Sequence, residues 1–178
     1  MMPDIPARLL GRPLSGGLVV PYISVASGDG RHVLGHVHTS RRNACVVDQR
    51  CQIDGQRLEQ PCVALVTPSE LEAGWSREPA MHPECARYSA AACPMASGQM
   101  SHYRSTAFDV SVLSCDKPGC DCGGWVPSAD SASAAGKPAE PYSLMWLSQY
   151  DTAVNAEGAV IGISWQPSYI RRLRPLAP

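Results

Sequence analysis

Two pairs of metal-ligating residue types lie in this chain, each pair three positions apart. Cys51-Gln52-Ile53-Asp54-Gly55 has the form of a zinc knuckle, C-x-x-C-G, with Asp in the place of the second Cys. Two ligands at that spacing converge on one ion, and the glycine allows a tight turn beneath it. His82-Pro83-Glu84-Cys85 puts the second pair in the first turn of a helix, where residues three apart share a face and the helix dipole favours a thiolate. A knuckle followed by a helix-borne pair is the logic of a treble-clef zinc site. The expected ligands are Cys51, Asp54, His82 and Cys85, with Cys45 in reserve if the carboxylate does not bind. Structural zinc favours sulfur and nitrogen, so an oxygen ligand would make the ion harder and its fourth position more labile.

A second cluster follows. Cys115, Cys120 and Cys122 stand among Gly119, Gly123 and Gly124, and the glycines let backbone wrap an ion closely. A fourth ligand would come from Cys93, His102 or Cys45. A second zinc is the first expectation; an iron–sulfur cluster would need a four-cysteine set.

Catalytic patterns fit less well. Zinc deaminases join H-x-E to P-C-x-x-C, with the glutamate as proton carrier. His82-Pro83-Glu84 meets the first half, but the Cys115–Cys120 spacing is too wide for the second. His36 and His38, two apart on an expected strand, would share a face, yet no asparagine stands in the relation an HNH nuclease needs. Core or surface histidines are the simpler reading. Arg41-Arg42 and Arg171, Arg172 and Arg174 read as solvated faces before phosphate contacts. Cys62 and Cys93 are candidate thiolate nucleophiles only in a generic sense.

The segment from Cys45 to Pro94 resembles an uncharacterised bacterial and phage-associated family. Its members pair C-x-x-C-G with H-x-x-C-A-x-Y-S and a following A-C-P. Here these motifs stand as Cys51 to Gly55, His82 to Ser89 and Ala92-Cys93-Pro94. Cys120 to Trp125, Ala139 to Tyr142 and Arg172 to Pro175 also resemble features of its actinobacterial members. The resemblance brings no assigned activity, and this chain departs from the family pattern at Asp54, where the pattern has Cys.

The elements that must position these residues are mixed. Leu18–Val25, interrupted by Pro21, reads as an edge strand. Gly28-Asp29-Gly30 is a turn signal, and Val33–His38 a returning strand. Val63–Val66 reads as a strand. Thr67-Pro68-Ser69-Glu70 is a capped helix start, which Gly74 ends. A second helix runs from His82 to Cys93 and stops before Pro94. Phe108–Leu113 reads as a strand, and Pro127–Pro141, rich in Ser, Ala, Gly and Pro, as a mobile loop. Tyr142–Val154 and Ala159–Trp165 are expected strands about the turn Asn155–Gly158. The fold expected is α+β, a treble-clef-like zinc-binding domain with a mixed or antiparallel sheet and a C-terminal β-hairpin. Its parts are a metal-binding region over 1–126, the loop over 127–141, and a hairpin over 142–178 packing on the same domain.

Composition bounds the function. Of 178 residues, 44% are apolar but only 6% aromatic, with Phe108 the single phenylalanine, so a core of small aliphatics would gain from a metal brace. The net charge of −1 provides no global pull toward nucleic acid or anionic membrane. Met1–Leu10 does not read as a signal peptide, and eight cysteines in a reducing cytoplasm point to metal before disulfides. The function expected is a zinc-stabilised binding or interaction module for a protein or nucleic-acid partner. The alternative is a zinc-dependent hydrolase, deaminase- or nuclease-like, with Glu84 as proton carrier.

Overall fold

The computed structural model describes residues 3–26, 30–103, 115, 117–120 and 135–176. The chain is α+β, and every strand pair among the described residues is antiparallel. A short hairpin of β1 (Leu14–Ser15) and β2 (Leu18–Val19) precedes β3 (Ser24–Ala26), β4 (His32–Val37) and helix α1 (Thr39–Val47). The order continues with β5 (Cys62–Val66), α2 (Pro68–Ala73), β6 (Trp75–Ser76) and α3 (Pro83–Ala92). It ends with β7 (Ser143–Leu147), β8 (Asp151–Val154), β9 (Val160–Ser164) and β10 (Ile170–Pro175).

A sheet ordered β10-β7-β5 divides the core. Alternation sends Val63, Leu65 and Leu144 to one face, where they pack with Cys85, Ala86 and Tyr88 of α3. Cys62, Ala64, Val66, Met145 and Leu147 point to the other, against Val46, Ile163 and Trp165. Covered on both faces, β5 is buried along its whole length. Its continuous apolar run, rather than a polar alternation, follows from that position.

Local signals account for several elements. The capping box of α2 is present, Thr67 and Glu70 each bonding the other's backbone, and Gly74 closes the helix at φ 75°. α3 ends at Ala92, before Cys93 and Pro94. The Asn155–Gly158 turn joins β8 to β9, held by the Asn155 side chain accepting from Ala159 N–H at 2.8 Å.

Four local expectations change. Leu18–Val25 is not one strand but contributes to two in different sheets, since β2 pairs with β1 whereas β3 pairs with β4. Tyr142–Val154 is two strands in different sheets, since β7 pairs with β5 and β10 whereas β8 pairs with β9. Helix α1 is additional; its Thr, Ser, Asn and Val residues are poor helix formers. Burial of Cys45 and Val46 sustains it, together with Tyr150, whose hydroxyl donates to the carbonyls of both. Beyond Trp165, Ile170–Pro175 forms strand β10, so Arg171, Arg172 and Arg174 belong to a sheet edge. The strand expected at Phe108–Leu113 lies outside the described residues. Of the 127–141 loop, Gly136 to Ala139 is tied by backbone hydrogen bonds to Ser101 and Tyr103. Among the described residues no helix is long and apolar enough to cross a membrane.

One glycine reports how closely two neighbouring strands of one sheet, β6 and β9, approach each other. A Cβ on Gly162 of β9 would lie 1.9 Å from the Ser76 carbonyl oxygen and 2.8 Å from Arg77 Cα. Both are backbone atoms and cannot swing aside. Gly162→Ala is expected to destabilise the fold by about 3 kcal/mol, the upper range for overpacking, measured as a lowered urea midpoint with an unchanged slope.

Candidate metal centre

The knuckle sits at the tip of a narrow hairpin. Leu58 N–H donates to the Gln49 carbonyl at 2.7 Å, Arg50 bridges Arg57, and Cys51 N–H donates to the Gln56 carbonyl at 2.8 Å. Gly55 N–H closes the turn on the Cys51 carbonyl at 2.9 Å. Gly55 has φ 76°, and a Cβ there would stand 2.6 Å from the Tyr22 ring. Glycine is therefore required twice, by backbone conformation and by the aromatic packed on it. The hairpin is moored by Tyr22 N–H to the Ile53 carbonyl and Gln52 N–H to the Ala80 carbonyl.

The second pair is delivered by α3. Met81 exchanges two 2.8 Å backbone hydrogen bonds with Val63, fixing the approach to the helix. His82 is the N-cap residue and Pro83 begins the helix, which places Cys85 in the first turn. The His82 side chain does not cap its own helix; it is committed elsewhere. Tyr88, one turn further along α3, also anchors the helix, its hydroxyl accepting from Val19 N–H at 2.9 Å.

Hairpin and helix bring Cys51, Asp54, His82 and Cys85 together, with one ligand atom of each within 4.8 Å of all the others. Cys51, His82 and Cys85 are fully buried and Asp54 nearly so, at 9% exposure. His82 Nδ1 lies 2.9 Å from Asp54 Oδ2, and Cys85 Sγ lies 3.4 Å from the same oxygen. The other His82 nitrogen, Nε2, donates to the Arg57 carbonyl at 3.0 Å. The other Asp54 oxygen accepts from Gln56 N–H at 2.7 Å. His82 and Asp54 thus each have one atom turned into the cluster and the other held by a backbone group, the usual support for a metal-binding imidazole and carboxylate. Ile53 N–H donates to Cys51 Sγ at 3.4 Å.

The hydrogen-bond geometry requires a proton or a cation between His82 and Asp54. A neutral His82 that gives its proton to Arg57 would present a bare Nδ1 lone pair to a carboxylate at hydrogen-bonding distance, so a proton or a cation must lie between them. Without metal the cluster supplies a proton: a hydrogen bond to Cys51 outweighs burial and pushes the His82 imidazole up to about 9. Burial would raise the Cys51 thiol, but hydrogen bonds from Cys85 and His82 overcome it and draw the thiol well below its ordinary range. Cys85 is driven far up, first by its hydrogen bond to Cys51 and then by burial. The thiolate, imidazolium and shared thiol proton are what a dication bound to two thiolates, a carboxylate and an imidazole would replace. Those four ligands fit a divalent metal. Arg12 lies close enough for its charge to interact with Asp54 and Cys51, which offsets part of the net negative charge of such a centre.

The remaining candidates fall outside this group. Cys45 is buried, and burial pushes its thiol up to about 12; its Sγ approaches the Cys51 carbonyl at 3.9 Å. It packs beneath the knuckle, outside the group of four that Asp54 completes. Cys115 and Cys120 are half-buried and join no group of three potential ligands among the described residues, and neither do Cys93, His36, His38 or His102. Cys122 lies outside the described residues. Glu84 is exposed on α3, beside Arg87 and Tyr88 in a surface groove that Pro3 and Pro6 also line. Cys62 is buried within β5 and pushed up to about 11 by burial, which removes it as a nucleophile. Arg41 and Arg42 reach back to the carbonyls of Ser24 and Val160.

The orienting groups, Arg57 and Gln56 through their backbone and Tyr22 through its ring, were not among the residues singled out by type. Only the glycine of the knuckle signals that something must pack against it. Comparisons with known protein families, with curated proteins and with solved structures returned no match.

Proposed function

We propose that this chain is a zinc-braced interaction module, its metal held by Cys51, Asp54, His82 and Cys85 in a treble-clef-like arrangement of knuckle and helix start. The observation that carries this reading is the burial of all four residues about one point, with His82 and Asp54 each held by a backbone group. Four protein ligands complete a tetrahedral shell, and a closed shell is the mark of a structural site, whereas catalytic zinc keeps a position for water. Zinc is favoured over calcium or magnesium because two thiolates and an imidazole are soft or borderline donors. The exposed setting of Glu84 also supports a brace over a hydrolytic centre.

The test is elemental analysis of the purified chain, followed by cobalt substitution. One zinc per chain is expected, together with a cobalt spectrum of tetrahedral type carrying thiolate charge-transfer bands. A metal-free protein with a complete thermal transition would end the zinc reading. A five-coordinate, water-bearing metal would transfer the argument to the hydrolase.

A further inference from the structure

The two edges of the β10-β7-β5 sheet differ. The outer edge of β5 is engaged by Met81, through hydrogen bonds in both directions with Val63. β10 pairs with β7 alone among the described residues, and five of its six residues, Arg171 to Pro175, are exposed. The ladder shows which backbone groups face outward. Leu176 N–H donates to the Tyr142 carbonyl at 2.9 Å. In an antiparallel pair the bonded positions alternate, so Arg174 and Arg172, opposite Leu144 and Trp146, also turn their backbone groups toward β7. The N–H and carbonyl of Leu173 and the carbonyl of Pro175 therefore face outward. Proline at 175 agrees with this, since the N–H it lacks would have pointed away from the sheet.

Charge is concentrated on the same strand. Arg171, Arg172 and Arg174 are three cations within four residues of a chain whose net charge is −1. Arg172 is steadied over the Trp146 ring at 5.1 Å. We propose that the β10 edge is a docking site for an extended acidic segment of a partner protein, which adds to the sheet as a fourth strand. This rests on reading the chain as an interaction module and names the surface it would use. Backbone hydrogen bonds at Leu173 would set the register, and alternate carboxylates would meet the arginines. A second copy of this chain is a poor occupant, because pairing β10 with itself sets arginines against arginines. A nucleic-acid strand would meet the arginines, but its phosphates would also face the outward carbonyls of Leu173 and Pro175.

The test uses the full metal-loaded chain and a fluorescein-labelled peptide alternating valine and glutamate. Its counterpart with lysine for glutamate and a labelled ten-nucleotide oligothymidylate are the comparisons. The acidic peptide is expected to raise the anisotropy and the lysine peptide to leave it unchanged. The double variant Arg171→Glu/Arg174→Glu should weaken binding at least about tenfold. Leu173→Pro removes one outward N–H at an edge, where proline is tolerated, and should weaken binding similarly. In the unmodified chain the Leu173 amide should exchange hydrogen at least about tenfold more slowly with peptide bound, a readout that survives if a variant fails to fold. Failure of the acidic peptide to bind, or unchanged exchange at Leu173, would overturn the proposal. So would oligothymidylate binding that Leu173→Pro leaves intact, which would reassign the arginines to nucleic acid. A chain that holds zinc but ignores the peptide counts against this inference alone; one that binds the peptide without zinc counts against the metal centre alone.

Discussion

Cys85→Ser is expected to abolish stoichiometric zinc and lower the melting temperature by about 6–20 °C, taking a loss of about 3–5 kcal/mol and roughly 2–4 °C per kcal/mol at this chain length. The substitution is nearly isosteric, and a serine hydroxyl can donate to Asp54 Oδ2 as the Cys85 thiol does at 3.4 Å. In a protein held together without metal it would therefore cost about 1 kcal/mol or less. With metal, it removes one of two thiolates from a buried shell and leaves Cys51, Asp54 and His82 to share the ion. Structural zinc supplies binding energy on the order of 10 kcal/mol to small domains, and losing part of it unmakes the contacts between the 49–58 hairpin and α3. The measurement is elemental analysis beside calorimetry, on wild type and variant, with and without a chelator. A chelator should lower the wild-type transition toward that of the variant and leave the variant unmoved. Equal melting temperatures in all four samples would show that the cluster is braced by protons instead.

The grouping of Cys51, Asp54, His82 and Cys85 was legible in the residue order because metal chemistry uses few side-chain types at short spacings. His82 and Cys85 three apart at a helix start share a face, and Pro83 and Glu84 mark that start without reference to anything distant. Cys51 and Asp54 are likewise local, since the turn at Gly55 needs only its own backbone. What could not be read locally was decided by packing. Helix α1 opposes the preferences of its own residues and exists because Cys45 and Val46 are covered and Tyr150, about a hundred positions away in sequence, bonds its carbonyls. Strand β10 is exposed over five of its six residues, and pairing with β7 makes it a strand. Tyr142–Val154 reads as one strand, and only the partition of its pairing between β5 and β9 shows it to be two.

If the four residues hold zinc as proposed, Asp54 sets how tightly the centre binds it, and two substitutions there should move affinity in opposite directions. Its Oδ1 is occupied by Gln56 N–H at 2.7 Å, which leaves Oδ2 as the single ligand oxygen turned toward His82 and Cys85. Asp54→Ala removes that ligand and the acceptor of the Gln56 amide together. Second-sphere changes alone cost roughly 10–100-fold in metal affinity, so loss of a ligand should weaken zinc by more than about 100-fold. Asp54→Cys restores the C-x-x-C-G form of the knuckle. A thiolate there can still accept the Gln56 amide, and it exchanges a hard oxygen for the sulfur that structural zinc prefers. Zinc should then bind at least about tenfold more tightly, measured by competition with a chromophoric chelator. Cobalt supplies a second readout: charge-transfer absorbance scales with bound thiolates, so its intensity should rise by about half as two thiolates become three. An unchanged cobalt spectrum in Asp54→Cys would mean that position 54 does not touch the metal. Tighter binding without that rise would place the new thiolate among the orienting groups, leaving Cys51, His82 and Cys85 to hold the ion with a ligand that the protein can give up.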